Sequence, residues 1–413
     1  MNISLADARR ARIGVFGYFF LAGFVMGLWA SGLPSLDERL DLGAGRLGSV
    51  LLLISAGALV SMLVAGPLVD RWSSRVVCWV GGPLSAVVLL GPALAPSYPA
   101  LASLAVLFGL GLGVTEVAMN AHSVEVERAY ARPIISAFHG TWSLGGAAGG
   151  ALTAVVLRAD LDAQTLLIAA AIVVPFLYAP LALLLLPAPP APPAHPGPGT
   201  DAAGGGAGGG LRWGLIALLG VAAFAGHLSE GAAIDWAALH ARWVLDTDAA
   251  AAPLAYTVFA VAMTTIRLLG DPIRARLGSV NTIRLAGIIA TCGYALVLAA
   301  PLTGTSLRVV CAWAGWALAG VGLATVVPVI FSAVGAAGGR VGRALSLVTA
   351  FGYSGLLVGP ALLGYIAEAS SLPVALIVPA VLAAVVALTG VPAIRALPAA
   401  SRTPVAADAS AGD

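Results

Sequence analysis

Apolar residues in this chain gather into twelve stretches of membrane-spanning length, separated by short segments that hold most of its charge. The stretches lie at about 13–33, 46–69, 76–95, 99–122, 135–157, 164–186, 212–239, 253–270, 282–300, 307–335, 343–366 and 372–394. A helix that crosses the hydrocarbon core of a bilayer needs roughly 20 predominantly apolar residues, so each stretch predicts one spanning helix. Between the sixth and seventh, residues 187–211 run from Pro187-Ala188-Pro189-Pro190 into Gly204-Gly205-Gly206 and Gly208-Gly209-Gly210. Proline keeps such a segment extended and glycine makes it floppy. It therefore reads as a linker between a six-helix unit at 1–186 and a second at 212–395, followed by a disordered tail at 396–413.

The two units carry versions of one another. The first has Gly111-Leu112-Gly113, then Arg128 and Arg132, then a helix with Phe138, Gly140, Gly145 and Gly149. The second has Gly320-Val321-Gly322, then Arg340 and Arg343, then a helix with Phe351, Gly352, Gly355 and Gly359. Small residues at these spacings let helix backbones approach closely in lipid. Duplicated halves of this kind are the build of carriers that rock about a midplane site.

Composition excludes a water-soluble globule: 60% of residues are hydrophobic and 10% charged, with a mean hydropathy of +0.98, against about a quarter charged in soluble domains. The net charge of +2 gives no reason to expect a nucleic-acid partner. The chain has no lysine, so arginine alone reports orientation. With the N-terminus inside, sixteen arginines fall on the cytoplasmic side, and only Arg39, Arg46, Arg158, Arg242 and Arg308 fall outside. This is the positive-inside pattern, and it places both termini in the cytoplasm of a multi-pass protein of the cell membrane. The first span is long enough to be retained rather than cleaved as a signal peptide. Cys78, Cys292 and Cys311 lie within spans without metal-ligand spacing, so they read as small apolar fillers. No metal or cofactor is expected, and nothing requires more than a monomer.

The loop after the second span reads Gly66-Pro67-Leu68-Val69-Asp70-Arg71-Trp72-Ser73-Ser74-Arg75, and its counterpart after the eighth runs from Arg267 through Gly270-Asp271-Pro272 to Arg274 and Arg276. Here the chain resembles the major facilitator superfamily, whose signature at this place is a Gly, an Asp four residues on, an Arg and further basic residues. Ser73 stands where that family usually has a second glycine. The resemblance extends over the whole chain and implies an all-α, polytopic membrane protein with twelve transmembrane helices in two six-helix halves. The loop suits a gating latch formed by Gly66, Asp70, Arg71, Arg75, Glu127, Arg267 and Asp271. Asp70 would cap the eleventh span near Arg343, because a helix N-terminus attracts a carboxylate. Arg71 and Arg75 would pair with Glu125 or Glu127; the alternative is ordinary solvated arginines.

Carboxylates inside spans mark functional sites by default, because burying an unpaired one in lipid is costly. Glu116 and Glu230 qualify. The segment Gly111-x-Gly113-x-x-Glu116-x-Ala118-x-Asn120 resembles the fucose–proton symporter branch of the superfamily, which implies a proton-carrying Glu116 and a polar role for Asn120. That branch has an acid at the outer end of span one, where this chain reads Trp29-Ala30-Ser31-Gly32-Leu33-Pro34. Glu230 could supply the second carboxylate. The alternative for Glu116 is a neutral carboxyl hydrogen-bonded to Thr115, Asn120 or a backbone carbonyl as helix-packing glue, and the same alternative holds for Glu230. His139 could relay protons or donate to a neighbouring helix. His227 lies one turn from Glu230 and could titrate with it, while His122 reads as interfacial. Trp29 and Trp142 are candidate cavity walls, with belt anchoring as the alternative. Asp235 is placed to pair with Arg242, and Arg267 reads as a structural arginine or an anion contact.

The resulting expectation is a secondary active transporter working by alternating access, whose partners are protons, a small-molecule substrate and the bilayer. Proton-coupled uptake of a sugar-like or other small polar solute comes first, and proton-driven export of an amphiphilic compound is the alternative. A membrane enzyme would need a ligand cluster or Ser–Lys dyad that this sequence lacks.

Overall fold

The computed structural model describes residues 4–130, 134–187, 212–336 and 341–397. The expected linker, beyond Pro187, and nearly all of the expected tail lie outside the described residues. Thirteen α-helices follow in order: α1 (Leu5–Leu40), α2 (Gly43–Trp72), α3 (Ser74–Val87), α4 (Leu90–Leu94), α5 (Tyr98–Tyr130), α6 (Ile135–Arg158), α7 (Ala163–Leu184), α8 (Trp213–Trp243), α9 (Ala252–Ala299), α10 (Thr305–Leu323), α11 (Val326–Ala336), α12 (Val341–Ala369) and α13 (Leu372–Arg395). They provide twelve spans long and apolar enough to cross a membrane, matching the twelve windows of the sequence.

Helices and spans correspond one to one except at three places, each with a local cause. The third span breaks between α3 and α4 at Val88–Leu89, and the tenth between α10 and α11 at Ala324–Thr325. Both breaks sit four residues before a proline, Pro92 and Pro328, whose missing N–H leaves the carbonyl four positions back without its helical partner. The eighth and ninth spans are the two limbs of α9, turned at Gly278, whose φ of 72° is left-handed and suits glycine.

The duplicated glycines do the same work in both halves of the sequence. A Cβ on Gly27 of α1 would lie 2.2 Å from the Gly146 carbonyl oxygen of α6, and one on Gly145 would lie 2.1 Å from the Phe20 carbonyl. The same meeting recurs between α12 and α8, where a Cβ on Gly355 would lie 2.5 Å from the Phe224 carbonyl. Spans two and four meet through Gly109 and Gly113 against the carbonyls of Ile54 and Ala58, and spans eight and ten through Gly320 against Phe259. Real Cβ atoms do not fit at these distances, so the backbones are in direct contact. In lipid, where apolar faces gain little by meeting each other, such close packing supplies much of the helix association.

Gly27→Val should therefore lower the melting temperature of the purified protein in detergent, by an overpacking cost of roughly 1–3 kcal/mol. Gly214→Val, where a Cβ meets nothing within 4 Å, should melt as wild type. Equal melting of all three would contradict the backbone contact.

Candidate functional site

The polar residues of the spans converge on a guanidinium. Arg267, on the first limb of α9, places Nη2 2.8 Å from Glu230 Oε1 on α8 and donates from Nη1 to Ser143 Oγ on α6 at 2.7 Å. Arg267 and Glu230 side chains are 13% and 12% exposed, and Ser143 is buried. Glu230 and Arg267 belong to the last six spans and Ser143 to the first six, so one side chain ties the two sets together. The sequence suggested Glu230 as a second carboxylate and Arg267 as a latch residue, but not that they pair.

Around this bridge stand groups from four helices. His139 lies one turn before Ser143 and packs edge-on against Phe19, with ring centroids 5.1 Å apart. It is in electrostatic range of both Arg267 and Glu230. His227, one turn before Glu230, is engaged through Nδ1 with the Ala223 carbonyl at 3.0 Å and lies against Tyr353 of α12, centroids 5.6 Å apart. His227 lies in electrostatic range of Glu230, while among the described residues no hydrogen bond joins the two, the ring being turned back along its own helix. Tyr353 lies in electrostatic range of both Glu116 and Glu230. Glu116, on α5, accepts from Asn120 Nδ2 at 3.0 Å, and the same amide reaches the Glu116 carbonyl at 2.8 Å. That bond lies within one helix and joins Glu116 to Asn120, one of the hydrogen-bond partners expected of it. Trp142 is half-buried beside Ser143 on α6. Trp29 departs from its expected place at a cavity wall or belt: it is 1% exposed and packs at 5.5 Å against Phe108.

The latch pairings differ from expectation. Glu127 accepts from the backbone N–H groups of Ile134 and Ile135 at 2.7 and 3.0 Å, capping the start of α6 instead of pairing with arginine. Glu125 accepts from Ser74 Oγ at 2.9 Å. Asp70 and Arg71 are exposed and Arg75 half-buried, with no ion pair among the described residues. A Cβ on Gly66 would meet nothing within 4 Å. Arg340 lies outside the described residues, as do the side chains of Asp271 and of the first residues of α12, including Arg343, so the expected cap by Asp70 is not described there. His122, read as interfacial, is fully buried. Its Nε2 accepts from Leu186 N–H at 3.1 Å and its Nδ1 meets Ser74 Oγ at 2.8 Å, which assigns the proton to Nδ1.

The face opposite the arginine-rich one is closed by contacts that sequence reasoning missed. Arg242 Nε donates to Glu38 Oε1 at 2.6 Å, Trp243 Nε1 to Asp37 Oδ2 at 3.1 Å, and Gly45 N to Glu368 Oε2 at 3.2 Å. The Ser49 and Tyr365 hydroxyls lie 3.0 Å apart. Each joins a helix of the first six spans to one of the last six. Gly48 and Gly364 let α2 and α12 touch beside them. The expected Asp235–Arg242 pair is corrected by the same contacts: seven residues along a helix span about 10.5 Å, whereas Glu38 approaches directly from α1.

Such a frame of twelve spans, with a charge bridge between its halves and a clasp at one face, matches a known family. The Major Facilitator Superfamily model aligns with residues 15–336. This chain belongs to the major facilitator superfamily. Among similar proteins, the uncharacterized transporter y4wD of Sinorhizobium fredii is 33% identical over 88% of this chain and 93% of its own length. Membrane protein MosC of Rhizobium meliloti is 30% identical over 87% of this chain and 84% of its own. Among solved structures, a D-xylose–proton symporter superposes with a TM-score of 0.74 at 13% identity, over 97% of this chain and 99% of that one. The nucleoside transporter NupG gives a TM-score of 0.66 at 16% identity, over 94% and 99%. This major facilitator is a transporter and not an enzyme.

Because the clasp holds one face shut, Glu38→Ala with Arg242→Ala should favour opening there. A cysteine at Ser49 should react with a membrane-impermeant maleimide several-fold faster in that double variant than in the otherwise wild-type background. Unchanged labelling would remove the clasp from gating.

Proposed function

We propose that this major facilitator takes up a small polar solute together with protons, and that Glu230 couples the proton to the movement of the two halves through Arg267. The observation that carries the reading is the largely buried Arg267 bridge, which links a protonatable carboxylate in one half to a hydroxyl in the other. With Glu230 ionised, its charge holds the guanidinium where it also reaches Ser143. A proton on Glu230 removes that charge, and the guanidinium is then free to leave Ser143. Proton binding and the relative position of the halves become one equilibrium, as a carrier that rocks about a midplane site requires.

The first six and last six spans act as the two moving units, with residues 187–211 as their tether. The arginine-rich face is cytoplasmic by the positive-inside rule. The clasp then closes the outer face, and the protein sits in the cell membrane facing inward. Glu116, held by Asn120, is a second proton or solute contact across from Glu230. Acid, amide and hydroxyl groups at Glu116, Asn120 and Ser143 favour a hydrogen-bonding solute over an amphiphile. The named activities of the structural neighbours, a D-xylose–proton symporter and a nucleoside transporter, point to the same class. Monomers suffice for this mechanism.

The test is proton flux in proteoliposomes containing a pH dye, challenged in turn with sugars, nucleosides, organic acids and cationic drugs. External alkalinisation on adding a polar solute is expected, with uphill accumulation reduced on the order of tenfold or more in Glu230→Gln, tenfold being about 1.4 kcal/mol of coupling. Glu116→Gln should weaken accumulation while sparing exchange. Proton movement in the opposite sense with a drug, or uphill transport unimpaired in Glu230→Gln, would overturn the reading.

A further inference from the structure

The outer half of α8 buries two polar side chains that neither the bridge nor the clasp uses. Asp235 is 9% exposed, and with Arg242 drawn away to Glu38 and the Thr247 carbonyl it has no hydrogen bond or ion pair among the described residues. His240 is 1% exposed, its Nδ1 has no hydrogen-bond partner among the described residues, and its ring sits edge-on to Trp316 with centroids 5.8 Å apart. An unpaired acid at this depth is costly to keep unless it carries a proton or serves a passing one. A fully apolar side chain would pack the same place without cost.

Glu230, Asp235 and His240 follow each other at intervals of five residues, a rise of about 7.5 Å each. They climb from the Arg267 bridge to within one turn of Trp243, where the clasp begins. Five residues also turn the helix by about 140°, so the three do not form one stripe and cannot touch directly. An intervening group must span that turn, and Tyr256 of α9, 1% exposed and in electrostatic range of Glu230, Asp235 and Arg267, is a candidate. Tyr294, on the second limb of α9, donates to the Ser229 carbonyl beside Glu230. Other titratable groups on helices packed against α8 are Asp37 and Glu38 of α1, held by Trp243 and Arg242, and Arg39 of α1, bonded to the Ala95 carbonyl. To these α12 adds Tyr353, packed on His227, and Tyr365 and Glu368, held at Ser49 and Gly45, and the start of α10 adds Arg308.

We infer that Asp235 is a proton-relay residue, passing protons between the outer face at His240 and the coupling carboxylate Glu230. The inference rests on the coupling role proposed for Glu230. In each transfer an O–H bond breaks at Asp235 as one forms at Glu230. An intervening hydroxyl or water accepts one proton and gives up another, so one proton moves inward and nothing is oxidised or reduced. The relay gives the outer-closed carrier a proton route that needs no opening for solute.

The test uses the full chain in lipid vesicles and follows carboxylic-acid C=O bands by infrared difference spectroscopy from mildly acidic to mildly alkaline pH, which requires no substrate. Wild type should show a titrating band that is lost in Asp235→Asn and displaced in Asp235→Glu. The midpoint of that band should shift in Glu230→Gln, because the two sites exchange protons. Melting temperatures of the variants check that each is folded. Identical spectra for folded wild type and Asp235→Asn would overturn the inference, as would an Asp235 band whose midpoint ignores Glu230→Gln. The proteoliposome measurement judges the underlying reading separately. Solute transport without proton movement would sink the coupling and the relay together, whereas unaltered infrared spectra sink the relay alone.

Discussion

A guanidinium within the membrane must find an anion or leave, and in this protein that requirement organises the centre of the molecule. Arg267 cannot lose its charge, so Glu230 at 2.8 Å is a condition of its staying there. Removing one member of a buried pair leaves the other uncompensated at a cost of several kcal/mol. Once the pair is fixed, the planar guanidinium has further donors with set directions, and one of them reaches Ser143 in the first six spans. The contact between the halves at this depth is therefore a by-product of satisfying a charge. Any event that changes the charge of Glu230 is felt across the interface.

The packing of the surrounding helices suits the proposed movement about that point. Glycine against carbonyl, repeated between α1 and α6 and between α8 and α12, makes each half internally tight without long interdigitating side chains. The clasp between the halves is of a different kind. It consists of a few partly exposed hydrogen bonds and an ion pair, Arg242 with Glu38, whose members are 35% and 49% exposed. Exposed pairs of this sort contribute about 0–1 kcal/mol each. On the proposed reading, a gate held by such contacts closes reversibly, whereas the bundles themselves stay intact.

Much of the fold was legible in the sequence because the bilayer imposes a length on every span, and windows of apolar residues report that length directly. The duplication was legible too, since close packing needs glycine and glycine leaves a trace in sequence. Glu230 and Arg267 could each be singled out as charges in or near spans. Their pairing could not, because 37 residues and a helix reversal separate them, and Ser143 lies a further 124 residues from Arg267. Arg242 misled for a related reason. Asp235 is its near neighbour in sequence, yet the partner comes from another helix altogether. Glu127 illustrates a third limit: a carboxylate expected to meet Arg71 or Arg75 was taken by the open N-terminus of α6.

The central claim, that a buried charge pair carries the coupling, is tested most directly by a neutralisation cycle. Arg267→Gln, Glu230→Gln and the double variant would be compared for melting temperature in detergent and for uphill accumulation in proteoliposomes. The account predicts that the double variant melts higher than at least one single variant, since it leaves no buried charge unpaired, and that all three lose uphill accumulation. Additive destabilisation, or uphill accumulation retained by the double variant, would contradict it.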